Sequence, residues 1–172
     1  DNGSCDAPRF TAHPIDCNPI SWATPKAPSS FNSPLNNRNI GALIETKKFA
    51  TGVCDWLVKS WALNTKTGIW ELSERLESGH TDWIRDVAYE LGIGLNWTCL
   101  ASTGQDHIVN AWTQDGSRGA RKQHMLDPTG CGSNSLSGLV WRLSWKVGGK
   151  VLAVTAGDGK VTLWKENLKG CW

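Results

Sequence analysis

Apolar and polar residues alternate with a period of two along three stretches of the chain, 47–61, 100–112 and 150–164. Each stretch reads as an apolar strand, a tight break and a second strand rich in β-branched residues, the pattern of a β-hairpin. Gly52, Gly104 and Gly157 mark the breaks, so the turns are expected to draw on glycine. Shorter blocks stand upstream of the hairpins: Ile20-Ser21-Trp22, Val87-Ala88-Tyr89 and Leu143-Ser144-Trp145, each apolar, small, aromatic. They predict a further strand ahead of every hairpin. Pro19 falls in the first of these, where it would remove a ladder hydrogen bond. Residues 66–76 predict an outer strand behind the first hairpin. No run keeps apolar residues at the 3.6-residue period over a helical length, which argues against a helix-rich domain.

The second strands of the hairpins align without a gap: DWLVKSW (55–61), DHIVNAW (106–112) and DGKVTLW (158–164). Their terminal residues Trp61, Trp112 and Trp164 stand 51 and 52 positions apart. Repeated units of four short strands are the plan of propeller blades. The expectation is an all-β chain of about three four-stranded blades, at 12–77, 78–127 and 136–172. Residues 24–46, with Pro25, Pro28 and Pro34, read as an exposed loop inserted in the first blade, and 116–138 as an irregular connection.

The fixed interval between Asp and Trp asks for a cause. In the middle unit the residues predict a hydrogen-bonded chain from the Trp112 N–H to Ser102, from Ser102 to His80, and from His80 to Asp106. A buried indole N–H and a buried carboxylate both require partners. Asp55 with Trp61, and Asp158 with Trp164, repeat the interval. His13 precedes Trp22 by nine residues, as His80 precedes Tyr89, but the third unit has Leu136 at that place. Because the interval recurs without a histidine, it serves architecture better than a Ser-His-Asp hydrolase triad.

Composition narrows the function classes. Eleven Trp against three Phe and one Tyr means that something recurring demands indole. A formal net charge of +2 lacks the basic excess of a nucleic-acid binder, and no apolar run reaches the length of a membrane span. Cys5, Cys17, Cys54, Cys99, Cys131 and Cys171 show no CxxC pair, so a zinc site is not expected and free, mostly buried thiols are. The same even count, with sequons at Asn2 and Asn96, keeps open a secreted, disulfide-bonded, Trp-rich carbohydrate-binding β domain. An enzyme would pair Cys17 or Cys54 with His13 or His80 as a thiol nucleophile, without any specific signature. The chain opens at Asp1 rather than Met, which points to a piece or a processed product, and no targeting segment is visible.

The segments AHPIDCNPISWA, KFATGVCDWLVKSW, GHTDWIRDVAYELGIGL, GQDHIVNAWTQD and VTLWKENLKG, in that order, resemble the WD-repeat propeller family. Within it they resemble the propeller subunit of the outer COPII vesicle coat, which is shared with the Y-shaped nuclear pore scaffold and with a nutrient-signalling complex. The resemblance covers 12–23 and about 47–172. It implies an open six-bladed WD-repeat β-propeller whose C-terminal half this chain matches, with no catalysis and no cofactor. It implies protein partners: a Sec-thirty-one-like coat subunit or a scaffold nucleoporin completing the propeller. The location implied is the cytoplasm, on COPII vesicles at the endoplasmic reticulum membrane and reached only through the coat, or the nuclear pore complex. Trp56 stands where the family usually has Asn, and Tyr89 and Glu90 replace a Trp and a small or polar residue. Candidate partner contacts are Asp82, Trp83 and Arg85 in one loop and Trp141 and Arg142 in another. Three blades cannot close a ring, so unpaired strand edges and dependence on a covering chain are expected.

Overall fold

A computed structural model of the chain describes residues 9–24, 47–77, 79–92, 97–115, 121–126, 138–167 and 172. Every regular element among them is a strand. β1 (Ile20–Trp22), β2 (Lys48–Gly52), β3 (Leu57–Asn64) and β4 (Ile69–Glu77) form one antiparallel sheet in chain order. β5 (Ile84–Tyr89), β6 (Trp97–Gly104), β7 (Val109–Asp115) and β8 (Arg121–Met125) form the second, and β9 (Val140–Trp145), β10 (Val151–Ala156) and β11 (Val161–Lys165) the third. The third sheet has three strands among the described residues, not the expected four.

Two expectations are corrected by the strands themselves. The stretch 116–138 contains β8, which pairs with β7 from Asn110↔Met125 to Gln114↔Arg121. Its Arg-Lys-Gln-His-Met composition hides the strand because an outer strand, paired along one edge, needs little apolar alternation. Pro19 costs no ladder bond, because β1 begins after it and its carbonyl accepts the Gly52 N–H at 3.2 Å. The inserted loop expected at 24–46 lies outside the described residues apart from Thr24.

Why Asp recurs is visible in the hairpin turns. Asp55, Asp106 and Asp158 each accept, through Oδ1, the N–H two residues on, at 3.1, 3.1 and 3.0 Å. Such a side-chain turn mimics a backbone one and sets the hairpin register. The residue after each Asp is left-handed: Trp56 at φ 62°, His107 at 66° and Gly159 at 77°. The turns therefore draw their left-handed conformation from this position. Gly52 and Gly104 instead end β2 and β6, and a Cβ on Gly52 would lie 2.6 Å from Ile84 Cγ2. For an L-residue the left-handed region costs about 1–2 kcal/mol, and Asn tolerates it best after Gly. Trp56→Asn is accordingly expected to raise stability by roughly 0.5–1 kcal/mol in a denaturant titration; a loss of stability would show that the indole's contacts outweigh the strain.

Period-two alternation builds the core between sheets. Cys99 and Ala101 of β6, with Val109 and Ala111 of β7, face Val140, Leu143, Trp145, Leu152 and Val154 of the third sheet. The intervening Leu100 and Trp112 face Ala50, Val58 and Leu76 of the first. Polar bonds pin the inner strands side by side. Asp86 accepts the Leu143 N–H at 2.8 Å, the Trp145 indole donates to the Ala88 carbonyl at 2.9 Å, and Ser21 accepts the Tyr89 N–H at 2.9 Å. At the outer strands Arg121 of β8 meets Glu74 of β4 at 2.7 Å.

Among the described residues, the surface left without a neighbour is a sheet face more than a strand edge. On the side of β1–β4 turned away from the second sheet, Phe49 meets Trp70 edge-on at 4.7 Å and Trp22 edge-on at 5.4 Å, and Phe10 lies 4.9 Å from Trp61. Trp22 is 60% exposed there. At the other end Val161 and Leu163 of β11 are exposed. Blades stack face to face, so an open stack shows apolar faces, whereas edges are present on every blade whether or not a ring closes.

Candidate functional site

Three polar networks support the hairpins, and they differ. In the second blade His80 Nδ1 lies 2.9 Å from Asp106 Oδ2 and its Nε2 lies 2.7 Å from the Ser102 hydroxyl. A carboxylate only accepts, so Nδ1 carries a proton, and Nε2 shares a hydrogen bond with the Ser102 hydroxyl. Asp106 also accepts the Thr81 and Ile108 N–H groups, at 2.9 and 3.1 Å. Burial pushes its carboxyl up, but the His80 bond and charge and the two N–H groups together hold it below the usual carboxylate range. The expected bond from Trp112 to Ser102 is not formed among the described residues; the indole is drawn into the apolar layer beside Leu76, Val87 and Leu100.

The first blade does join its indole. Trp61 Nε1–H donates to Thr51 Oγ1 at 3.0 Å, and Thr51 meets His13 Nε2 at 2.8 Å. His13 Nδ1 lies 3.1 Å from Asp55 Oδ2, and the buried ammonium of Lys59 sits against both, 2.9 Å from His13 Nδ1, 3.1 Å from Asp55 Oδ2 and 3.3 Å from the Ala12 carbonyl. Three donors meet three acceptors, which satisfies a charge that burial would otherwise make costly. Burial chiefly, and the Lys59 charge with it, hold His13 below its ordinary value against the pull of Asp55. Thr51 and Lys59 were not singled out from the sequence. Thr51 stands 51 residues before Ser102, the same offset that relates Trp61 to Trp112, so the spacing pointed to it. In the third blade Trp164 Nε1–H donates to Thr162 Oγ1 at 3.1 Å, and Asp158 pairs with Lys160 at 3.3 Å.

The candidate contact residues separate into two places. Trp83, half exposed, and Trp141, also half exposed, flank the Arg85 guanidinium, whose carbon lies 5.7 and 5.6 Å from their ring centroids. Arg85 also donates to the Gln105 side-chain oxygen. Asp82 turns back to accept the Trp83 N–H at 2.7 Å. Arg85 belongs to β5, and Trp141 and Arg142 to β9, and none of the three to a loop. Arg142 lines the concave surface made by β1, β5 and β9, where its charge bears on Asp86. Burial raises Asp86 above its ordinary range against the Leu143 N–H, Arg142 and the Val87 N–H.

With this geometry in view, comparison with curated proteins is decisive. The protein transport protein SEC13 of Mycosarcoma maydis is 43% identical over 173 residues, covering 94% of this chain and 47% of that protein. That of Yarrowia lipolytica is 40% identical over 172 residues, covering 100% and 54%. The SEC13 homolog of Bos taurus is 38% identical over 161 residues, covering 94% and 47%. The chain is thus similar to SEC13 proteins along nearly its whole length. It spans about half the length of the curated relatives it matches. No protein-family model matches it.

Two of the three described thiols are shifted away from the reactive thiolate. Cys17, Cys54 and Cys99 are free. Burial, then Asp16, pushes the Cys17 thiol up, the wrong direction for a reactive thiolate. Burial drives Cys99 well above its ordinary value, with Glu90 and Glu166 adding to it. Both ring nitrogens of His13 and of His80 are already engaged by their networks. Cys5, Cys131, Cys171 and both sequon asparagines lie outside the described residues. Among the described residues no cluster of three or more His, Cys, Asp or Glu is placed to hold a metal ion, and no helix is long and apolar enough to cross a membrane.

Proposed function

We propose that this chain is a non-catalytic scaffold piece of a protein-transport machine, the outer cage of the COPII vesicle coat. The observation that carries this reading is the likeness to SEC13 proteins, at 38–43% identity across 94–100% of the chain in the three relatives above. The structure supports it with three sheets locked face to face, a stiff body with apolar faces at both ends. The partner proposed is a Sec-thirty-one-like coat subunit that helps complete the propeller, and the place is the cytoplasmic side of the endoplasmic reticulum. A scaffold nucleoporin at the nuclear pore is the other partner that the same resemblance allows.

The test is a chimera in which this chain replaces the homologous half of a SEC13 protein in cells depleted of their own. Restored transport of a secretory cargo from the endoplasmic reticulum to the Golgi is the expected result. A chimera that accumulates to normal levels but leaves cargo in the endoplasmic reticulum would overturn the proposal, and rescue confined to nuclear pore assembly would place the function there instead.

A further inference from the structure

Arg85 and Trp141 occupy the same place in their blades, and both sit on β-bulges. In β5 the register passes from Ile84↔Gly104 to Asp86↔Thr103, leaving Arg85 unopposed. In β9 it passes from Val140↔Ala156 to Arg142↔Thr155, leaving Trp141 unopposed. A bulge re-aims a side chain out of the sheet's alternation. Here two bulges on neighbouring inner strands bring an arginine and an indole together, and Trp83 is the second ring beside the guanidinium. The three residues stand at the end of the blades that carries the hairpin turns.

The guanidinium thus has two indole rings as neighbours, and most of its N–H edge is unused. Five N–H donors lie in its plane. Among the described residues it makes one hydrogen bond, to Gln105. Asp86, the nearest acid in sequence, accepts the Val87 and Leu143 N–H groups, and Asp82 accepts the Trp83 N–H. A planar carboxylate approaching edge-on matches such a fork, and the flanking indoles offer apolar contact to whatever chain carries it. A phosphate site would call for a cluster of basic groups, and here a single guanidinium stands between apolar walls.

We propose that Trp83, Arg85 and Trp141 form a receptor for an acidic side chain on an extended, otherwise apolar segment of a partner protein. This surface is separate from the apolar blade faces through which a propeller is completed, so it goes beyond the scaffold reading and fails or stands independently of the transport rescue.

The test uses the full chain, in the complex with which it purifies, and fluorescein-labelled nine-residue peptides. Each peptide carries a central Asp or Glu flanked by Leu, Phe and Pro, and each is matched by its Asn or Gln analogue. Fluorescence anisotropy is expected to show some acid peptides binding at least about tenfold tighter than their amides, as a charge-assisted paired contact requires. Arg85→Gln abolishes that preference, and Arg85→Lys, which keeps the charge but not the fork, retains only part of it. Trp83→Leu, a change at an exposed ring, weakens the acid peptides and serves as the second variant if Arg85→Gln disturbs the fold. No preference for acid over amide in any pair, or a preference that survives Arg85→Gln in a folded protein, overturns the proposal. Displacement of the acid peptides by inorganic phosphate at equal concentration overturns it in favour of a phosphate site.

Discussion

Asp106→Ala is expected to destabilise the fold by about 2–4 kcal/mol, because a buried donor left without its acceptor costs about 1–3 kcal/mol and more than one is left here. The change leaves the His80 Nδ1–H, the Thr81 N–H and the Ile108 N–H without their acceptor, in a site where the His80 side chain is fully buried. It also frees the turn that sets the β6–β7 register. Asp158→Ala offers the internal comparison. That residue caps the equivalent turn, but beside the exposed Lys160 and with no histidine behind it, so a loss of only about 1 kcal/mol is expected, as for a surface cap. Denaturant titration of both variants decides the matter. Equal losses would mean that the turn, and not the His80 network, accounts for the stabilisation. Acid should reproduce part of the effect: with its carboxyl held low in the fold, Asp106 contributes stability above the ordinary carboxylate range that is lost as pH falls through it.

Glu90→Gln is expected to act in the opposite direction and to depend on pH. Glu90 is 3% exposed between the second and third sheets. Its Oε1 accepts the Lys150 N–H at 3.0 Å, while its Oε2 is buried without a partner among the described residues. The contact is close enough that a Cβ on Gly149 would fall 1.5 Å from Oε1. Burial is the main reason that its carboxyl rises from 4.5 to about 7; the Lys150 N–H and charge oppose the rise and Glu166 adds to it. The folded state therefore holds a proton that the unfolded chain releases. The stability this proton provides is full below about pH 4.5 and is lost as pH rises to about 7, a difference of about 3 kcal/mol. Asp86, also raised by burial, leans the same way. Glutamine mimics the protonated carboxyl at every pH, so the variant should match the parent near pH 4.5 and exceed it by about 2–3 kcal/mol at pH 8. Melting curves across that range check it, and a parent whose stability does not fall between pH 5 and 8 would refute it.

The hairpins were legible because a turn capped by Asp and a Trp six residues on are both local facts, fixed by the spacing along one strand. The first inner strand and the order of the blades followed from the repeat. The network around His80 was partly legible: Asp106 and Ser102 stand where the interval places them, but the destination of the Trp112 indole depends on how the first and second sheets pack, which no spacing reports. Lys59 escaped notice because a lysine in a strand reads as solvent-facing until three acceptors are shown to converge on it. Contacts between blades, such as Asp86 with Leu143 or Arg121 with Glu74, join residues 57 and 47 positions apart and depend on the stagger of neighbouring sheets. Trp83, Arg85 and Trp141 were visible individually, and the bulges at Arg85 and Trp141 help to bring them into one cluster.

Trp56, His107 and Gly159 share one backbone angle and no side-chain property. The turn specifies a conformation there and leaves the chemistry open, so each blade can carry a different emblem on its rim: an indole, an imidazole or nothing. A protein assembled from copies of one module gains individuality in this way, dressing equivalent corners differently while the frame beneath stays the same.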